Sequence, residues 1–321
     1  ELPNVLLAED VNVGLPMIDW TTVSTVAPAA SDRGFRGTFG AAPAYLDATH
    51  VWHPRNTEYE IFSVGQRNHT LGAFLIVNHR TRFEMPVWPL EKAETLADID
   101  AATPLLSTFA WQTNCDETLD DLGRRARQLR DETSYAVVGN LCLHIFLASQ
   151  LLRGFENFFT DLLVNKPLAH RMLGKLLEGH LARAEKYIAA AGPHLDVILV
   201  NDDLGTQKGL QISPELYREM IKPYHRELWS FIKRKSGKPL LLHSCGSVYD
   251  LIPDFIEMGV DALNPVQVSA ANMEPARLKR EFGRELTFWG GGCDTQTVLA
   301  RGTPGDVREE VRRNVNELAP G

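Results

Sequence analysis

From residue 135 onward, apolar positions follow two patterns that alternate along the chain. Short runs rich in Val, Leu and Ile, at 135–141, 197–200, 239–242, 262–266 and 286–289, are bounded by Gly, Pro, Asn or Asp. Continuous apolar runs of this length predict strands buried on both faces. Between them, apolar residues recur at helical spacing: Phe146, Leu147, Leu151 and Leu152 form one stripe, and Phe158, Leu162 and Leu163 another. A long amphipathic helix is expected over 167–191, stopping at Gly192-Pro193. Ser213-Pro214-Glu215 supplies an N-cap, a first-position proline and a first-turn acid, so a helix should run from there to Ser236 with a kink near Pro223. Further helices are expected over 248–258 and 275–281, with a last one opened by Thr303-Pro304 and ending at Leu318.

Strands alternating with helices indicate a parallel sheet covered by helices. The even spacing, and the lack of a glycine-rich phosphate loop after the first strand, predict an α/β fold of the (β/α)8 TIM-barrel type. A doubly wound Rossmann-like sheet is the alternative. The N-terminal third follows no such rhythm. Pro- and Gly-containing stretches at 34–54 and aromatic strand-like runs at 59–64 and 71–77 predict an irregular region with a small antiparallel excursion. Residues 86–102 read as a Pro-containing linker into a helix over 117–130. The expected organisation is a single domain, irregular over 1–115 and regular over 116–321, with no internal repeat.

Composition narrows the classes without changing this picture. Charged residues make up 23% and apolar ones 44% of the 321, which excludes a disordered or fibrous chain. A net charge of -8, from 33 basic and 41 acidic residues, argues against nucleic acid as the main partner. No apolar run is long enough to span a membrane. Residues 1–16 lack the basic start and small-residue site of a secretory leader, and the four cysteines are irregularly spaced. Both features point to a reducing, cytoplasmic setting with thiols available for chemistry.

The chemistry-bearing residues gather at the strand ends, where barrel active sites lie. His243 and Cys245 stand two apart on an extended segment, so imidazole and thiol face one side while Ser244 faces the other. Nitrogen and thiolate are a natural zinc pair; a buried structural cysteine beside a satisfied histidine is the alternative. Cys293 follows three glycines two strands later and is a candidate third ligand, or else a small residue in a tight turn. Asp202 and Asp203 at another strand end are candidate catalytic residues suited to substrate or metal contacts, or else solvated acids capping the next helix. Asn264 and Gln267 in the N-P-V-Q turn, and Gln207, are candidate substrate-binding amides. Asp294 and Gln296 could orient ligands. Cys115 and Cys142 read as core residues, and Tyr224 and His225 as packing residues.

Six segments occur in order: D-D-L-G-T-Q from Asp202, I-S-P-E-L-Y-x-E-x-I-K-P-Y from Ile212, H-S-C-G-S-V from His243, N-P-V-Q from Asn264, G-G-G-C-D-T-Q from Gly290 and G-T-P-x-D-V-R-x-E-V from Gly302. Together they resemble the uroporphyrinogen decarboxylase superfamily, strongly over 196–321 and loosely over 116–190. True uroporphyrinogen decarboxylases use no metal and carry an R-Q-A-G-R-Y segment that is not found here. The H-x-C motif is closer to the zinc- and cobalamin-dependent methyltransferase branch, whose zinc site adds a later cysteine. The resemblance therefore implies a zinc-dependent methyltransferase of a corrinoid system, O-demethylating a small methoxylated or methylated substrate. It also implies cobalamin delivered by a separate corrinoid carrier protein, and a homodimer. Family members place the later cysteine after an Ala-Pro-Gly, and this chain ends at Ala319-Pro320-Gly321, so the third ligand is either Cys293 or a residue beyond Gly321. Two other functions remain open: a metal-free decarboxylase using Asp202 or Asp203 on a carboxylated substrate, and a non-catalytic barrel binding a small molecule or corrinoid carrier.

Overall fold

The structure is a computed structural model that describes residues 89–108 and 119–319, together with the backbone of six short strands in the first 87 residues. The chain divides into two compact units, residues 1–87 and 88–321. The division falls earlier than the expected change from irregular to regular structure at 115.

The first unit holds two three-stranded sheets. One orders its strands β1 (Val13–Gly14), β4 (Val51–Trp52) and β3 (Ala44–Tyr45); the other orders β2 (Asp19–Thr22), β5 (Asn56–Glu60) and β6 (Ala73–Val77). β5 and β6 run antiparallel, with Asn56 opposite Val77 and Glu60 opposite Ala73, which is the expected excursion. Its first strand lies a few residues before the predicted run.

The second unit is built on a five-stranded sheet: β7 (Val138–Asn140), β8 (Val197–Asn201), β9 (Leu240–His243), β10 (Ala262–Asn264) and β11 (Thr287–Phe288). Every neighbouring pair is parallel, and the strands lie side by side in sequence order. Order without reversal is the winding of a barrel wall; a Rossmann sheet reverses at its switch point. Among the described residues five such strands are present.

Helices cover the sheet. Between β7 and β8 lie α4 (Phe146–Arg153), α5 (Phe155–Val164) and the long α6 (Lys166–Ala191). Upstream are α1 (Leu96–Ala101), α2 (Thr103–Thr108) and α3 (Leu119–Glu132), so the segment expected to be a linker instead folds into α1, capped by a Thr95–Asp98 box. The expected 213–236 helix is two helices, α7 (Pro214–Met220) and α8 (Lys222–Ser236). Ser213 caps α7 through the Leu216 amide, and Pro223, which has no amide proton, sits in the first turn of α8. α9 (Ile252–Glu257), α10 (Pro275–Phe282), α11 (Val298–Arg301) and α12 (Pro304–Leu318) complete the unit. Among the described residues no helix is long and apolar enough to cross a membrane.

Burial along β8 alternates: Ile198 and Val200 are fully buried toward the helices, while Val197, Leu199 and Asn201 on the other face are half-buried. Leu240, Leu242 and Leu263 continue the buried face, with Leu228, Trp229 and Ile232 of α8 in the same core. A charge cluster around the buried Asp254 ties α7, α8 and α9 together. The Asp254 carboxylate accepts from Lys222 Nζ at 2.6 Å and from Arg218 Nη2 at 2.9 Å. Buried charges are tolerated only when paired in this way.

Candidate metal centre

Strand register brings the site together. Asn201, His243 and Asn264 are direct partners across β8, β9 and β10. Side chains at paired positions of a parallel sheet share a face, so these three form one polar row at the C-terminal ends of the strands. One residue further, Asp202 turns to the opposite face; two further, Asp203 returns to the face of the row.

Asp203 and Cys245 meet because two loops pass very close together. A Cβ on Gly205 would lie 2.7 Å from the Cys245 carbonyl oxygen. A Cβ on Gly246, whose φ is +82°, would lie 2.6 Å from the Gly205 carbonyl carbon. Only glycine fits at either position, which explains why D-D-L-G and H-S-C-G both carry one. The Ser247 amide donates to the Thr206 carbonyl at 2.8 Å and fixes the crossing. The Cys245 amide donates to Asp203 Oδ1 at 2.8 Å, and Gln267 Oε1 accepts from the Gly246 amide at 2.9 Å.

The hydrogen bonds around His243 fix its tautomer. Asn264 Nδ2 donates to the Trp289 carbonyl at 2.9 Å, and a carbonyl can only accept. The amide oxygen of Asn264 must therefore face His243, where it lies 2.6 Å from Nδ1. In the neutral ring Nδ1 therefore carries the proton and Nε2 has the lone pair. That lone pair is 3.4 Å from Cys245 Sγ and 3.9 Å from Asp203 Oδ1. Single ligand atoms of Asp203, His243 and Cys245 all lie within 4.8 Å of one another, and all three residues are half-buried. Burial first, then the Asp203 carboxylate, pushes the Cys245 thiol up to about 11. In the free protein the thiol is thus protonated, and a cation would replace that proton.

Imidazole nitrogen, thiolate and carboxylate are a donor set that suits zinc, and three protein donors leave a fourth position open. The hydrogen bond from His243 to Asn264 is the outer contact that metal-binding histidines make. These residues fit the ion.

Asp202 has a different setting. Its carboxylate is 1% exposed and accepts from the amides of Ile145, Phe146 and Leu147 at 2.6–2.8 Å and from His225 Nε2 at 2.9 Å. Burial pushes its pKa up, but the His225 contact and the amides outweigh it, and the net shift is downward. Tyr217 Oη lies 3.0 Å from His225 Nδ1, and the His225 ring stacks on Trp229 at 4.4 Å. Asp202 therefore anchors the loop that leaves β7 and has no place in the cluster, and His225 packs as expected. Ser244 faces away from His243, accepting from the Leu204 amide.

The third residue of the cluster is Asp203, and Cys293 is not part of it. Cys293 Sγ lies 3.0 Å from Glu310 Oε2, and that hydrogen bond, with burial, raises its pKa. Both thiols nevertheless line one cavity of about 440 Å³, with Pro265, Val266, Gln267 and Leu299 among its walls. Among the described residues, none that lines the cavity is basic. Asn264 and Gln267, read as substrate amides, instead bond to His243 and to the Gly246 amide. Gln207 lies at the surface, its side chain 3.4 Å from Ser269 Oγ. Asp294 holds the Gln296 and Thr297 amides, outside the cluster. Cys142 is half-buried with φ of +48°, and Cys115 lies outside the described residues.

A parallel sheet wound in one direction, with its polar cluster at the C-terminal strand ends, has the layout of a barrel-type α/β protein. The profile of the uroporphyrinogen decarboxylase (URO-D) family matches residues 88–321, the whole second compact unit. The chain belongs to that family. A solved structure that it resembles is a methyltransferase from Methanosarcina mazei, 14% identical over 79% of this chain and 75% of that one, with a TM-score of 0.45. No curated relative matches the chain.

Proposed function

We propose that this protein is a zinc-dependent methyltransferase of a corrinoid system, with the ion held by Asp203, His243 and Cys245. The observation that carries the reading is the convergence of His243 Nε2, the Cys245 thiol and the Asp203 carboxylate, while Asn264 holds the ring through Nδ1. A decarboxylase has no evident use for a thiol there. Zinc in this site would polarise the heteroatom carrying the methyl group, so that methyl can pass between it and a cobalamin brought by a separate corrinoid protein.

The chain's own residues have three tasks in this reading. Asn264 keeps His243 in the ligating tautomer. The Gly205–Gly246 crossing holds Asp203 against the Cys245 backbone. The cavity beside Cys245, walled by Pro265, Val266 and Leu299, offers an apolar surface to a small methylated molecule. Cys293 lines the same cavity and is available to contact that molecule.

Zinc content of the protein purified without chelator tests the reading. About one ion per chain, lost in Cys245→Ala, together with methyl transfer from a methoxylated or methylated donor to added cobalamin, is the expected result. A metal-free protein that decarboxylates a porphyrinogen would establish the second reading. The family assignment favours that reading, and in it the half-exposed Asp203 would handle the proton.

A further inference from the structure

Among the described residues three buried side-chain polar atoms have no hydrogen-bond partner: His144 Nδ1, Gln150 Oε1 and Asn201 Oδ1. Such atoms are costly to leave unpaired, and each calls for an explanation such as strain, a catalytic role, or a partner that binds there. Asn201 belongs to the polar row of the candidate cluster by register, and His144 lies within electrostatic reach of Asp203 and His243. We propose that Asn201 and His144 form a subsite for a hydrogen-bond-donating group, a hydroxyl or an ammonium, on the molecule whose heteroatom the metal takes. The proposal rests on the reading of the cluster as a metal site.

Asn201 is the register partner of His243 and stands two residues before Asp203, so its amide shares their face of the sheet. His144 lies on the loop leaving β7, the strand that flanks β8 on the side away from β9. It is 7% exposed, and the charges of Asp202, Asp203 and His243 all act on its ring. The loop is held from two sides. Asp202 accepts from the three amides that follow His144, and His180 Nε2 donates to the His144 carbonyl at 2.8 Å. The ring is thus presented by a rigid support, as a recognition group needs to be.

Both atoms are acceptors. Asn201 Oδ1 can only accept. Burial lowers the His144 pKa, which favours the neutral ring. Nδ1 is the nitrogen without a partner, and in the tautomer that carries its proton on Nε2 it offers a lone pair. Two stranded lone pairs beside the Asp203 carboxylate call for a donor and would reject an apolar group of the same size.

Three thiols of equal length serve as probes: cysteamine, 2-mercaptoethanol and 1-propanethiol. Each can place sulfur on the metal while presenting an ammonium, a hydroxyl or a methyl group to the subsite. Protein loaded with cobalt(II), its metal content measured beforehand, is titrated with each, and thiolate binding is read from the visible absorption. The quantity compared is the affinity of each donor thiol relative to 1-propanethiol, in wild type and in Asn201→Leu, Asn201→Ala and His144→Phe. Thiol acidity cancels in that comparison. The ratio should fall about tenfold in each variant, with 1-propanethiol binding unchanged. The donor thiol whose ratio falls more identifies the group as ammonium or hydroxyl. Ratios unchanged in variants that load cobalt normally would overturn the subsite and leave the metal reading standing. Wild-type protein that takes up no cobalt would overturn the metal reading, and the subsite with it.

Discussion

Asp202 and Asp203 are consecutive residues at the end of one strand, and they face opposite sides of the sheet. On the helix side, Asp202 has four donors around a carboxylate that solvent barely reaches. Tyr217 and Trp229 close off the histidine that serves it. On the mouth side, Asp203 is 38% exposed and His243 is 32% exposed, and a lone pair, a thiol and a carboxylate converge without saturating one another. Polar groups that are fully satisfied hold a fold together. Polar groups that converge but stay partly unpaired leave room for a ligand. The two residue types are identical, so only the surroundings separate structure from function.

The contrast can be broken most severely at Asp202. Asp202→Ala would strand three amides and the His225 N–H in the interior, at a cost of about 3–5 kcal/mol measured by urea denaturation. A loss under 1 kcal/mol would remove the anchoring role. On the other face, Cys245→Ala should lower metal affinity by about 3 kcal/mol, on the order of a hundredfold, because each of four ligands contributes roughly a quarter of a typical zinc-binding energy. Competition with a chromophoric chelator measures it, and the urea midpoint without metal should barely move.

Acid should attack the helix side through His180, whose pKa burial lowers to about 4 from 6.5. The folded protein then binds fewer protons than the unfolded chain, so this stability is complete above about pH 6.5 and is lost as pH falls toward 4. Linkage sets the loss at about 3 kcal/mol. His180→Gln should flatten the slope of stability between pH 6.5 and 4, and an unchanged slope would assign the acid sensitivity elsewhere. The smallest effect is expected from Asn264→Leu, which removes the partner of His243 Nδ1 but no ligand. Metal affinity should fall about tenfold, at the low end for such outer contacts and less than for Cys245→Ala. An equal loss would mean that Asn264 does more than orient the ring.

Much of the second unit was legible in the sequence. The apolar runs at 197–200 and 239–242 locate β8 and β9 to within a residue, because a short β-rich run bounded by turn formers has few alternatives. The break between α7 and α8 follows from Pro223. The helix expected over 248–258 is a 3-10 turn followed by the short α9, and the strand expected over 262–266 stops at Asn264. There the chain passes a cis Asn264–Pro265 bond and Val266 takes a φ of +56°. Neither is visible in hydrophobic periodicity.

His243 and Cys245 were placed together correctly, because residues two apart on an extended segment must share a side. Their company was not legible in the same way. Cys293 was one candidate for the third ligand, beside a residue beyond Gly321, whereas Asp203 is the residue that meets the pair among the described residues. The alternation along a strand states that Asp202 and Asp203 face opposite ways, but it does not state which of them faces the mouth. Sequence by itself determined the periods, the strand ends and the H-x-C pair, since those depend on local geometry. Tertiary structure alone decided that Asp203 joins the pair, that Asp202 is an anchor, and that Asn201 stands in register with His243. Those outcomes depend on the register between strands far apart in the chain, and on which face the helices cover.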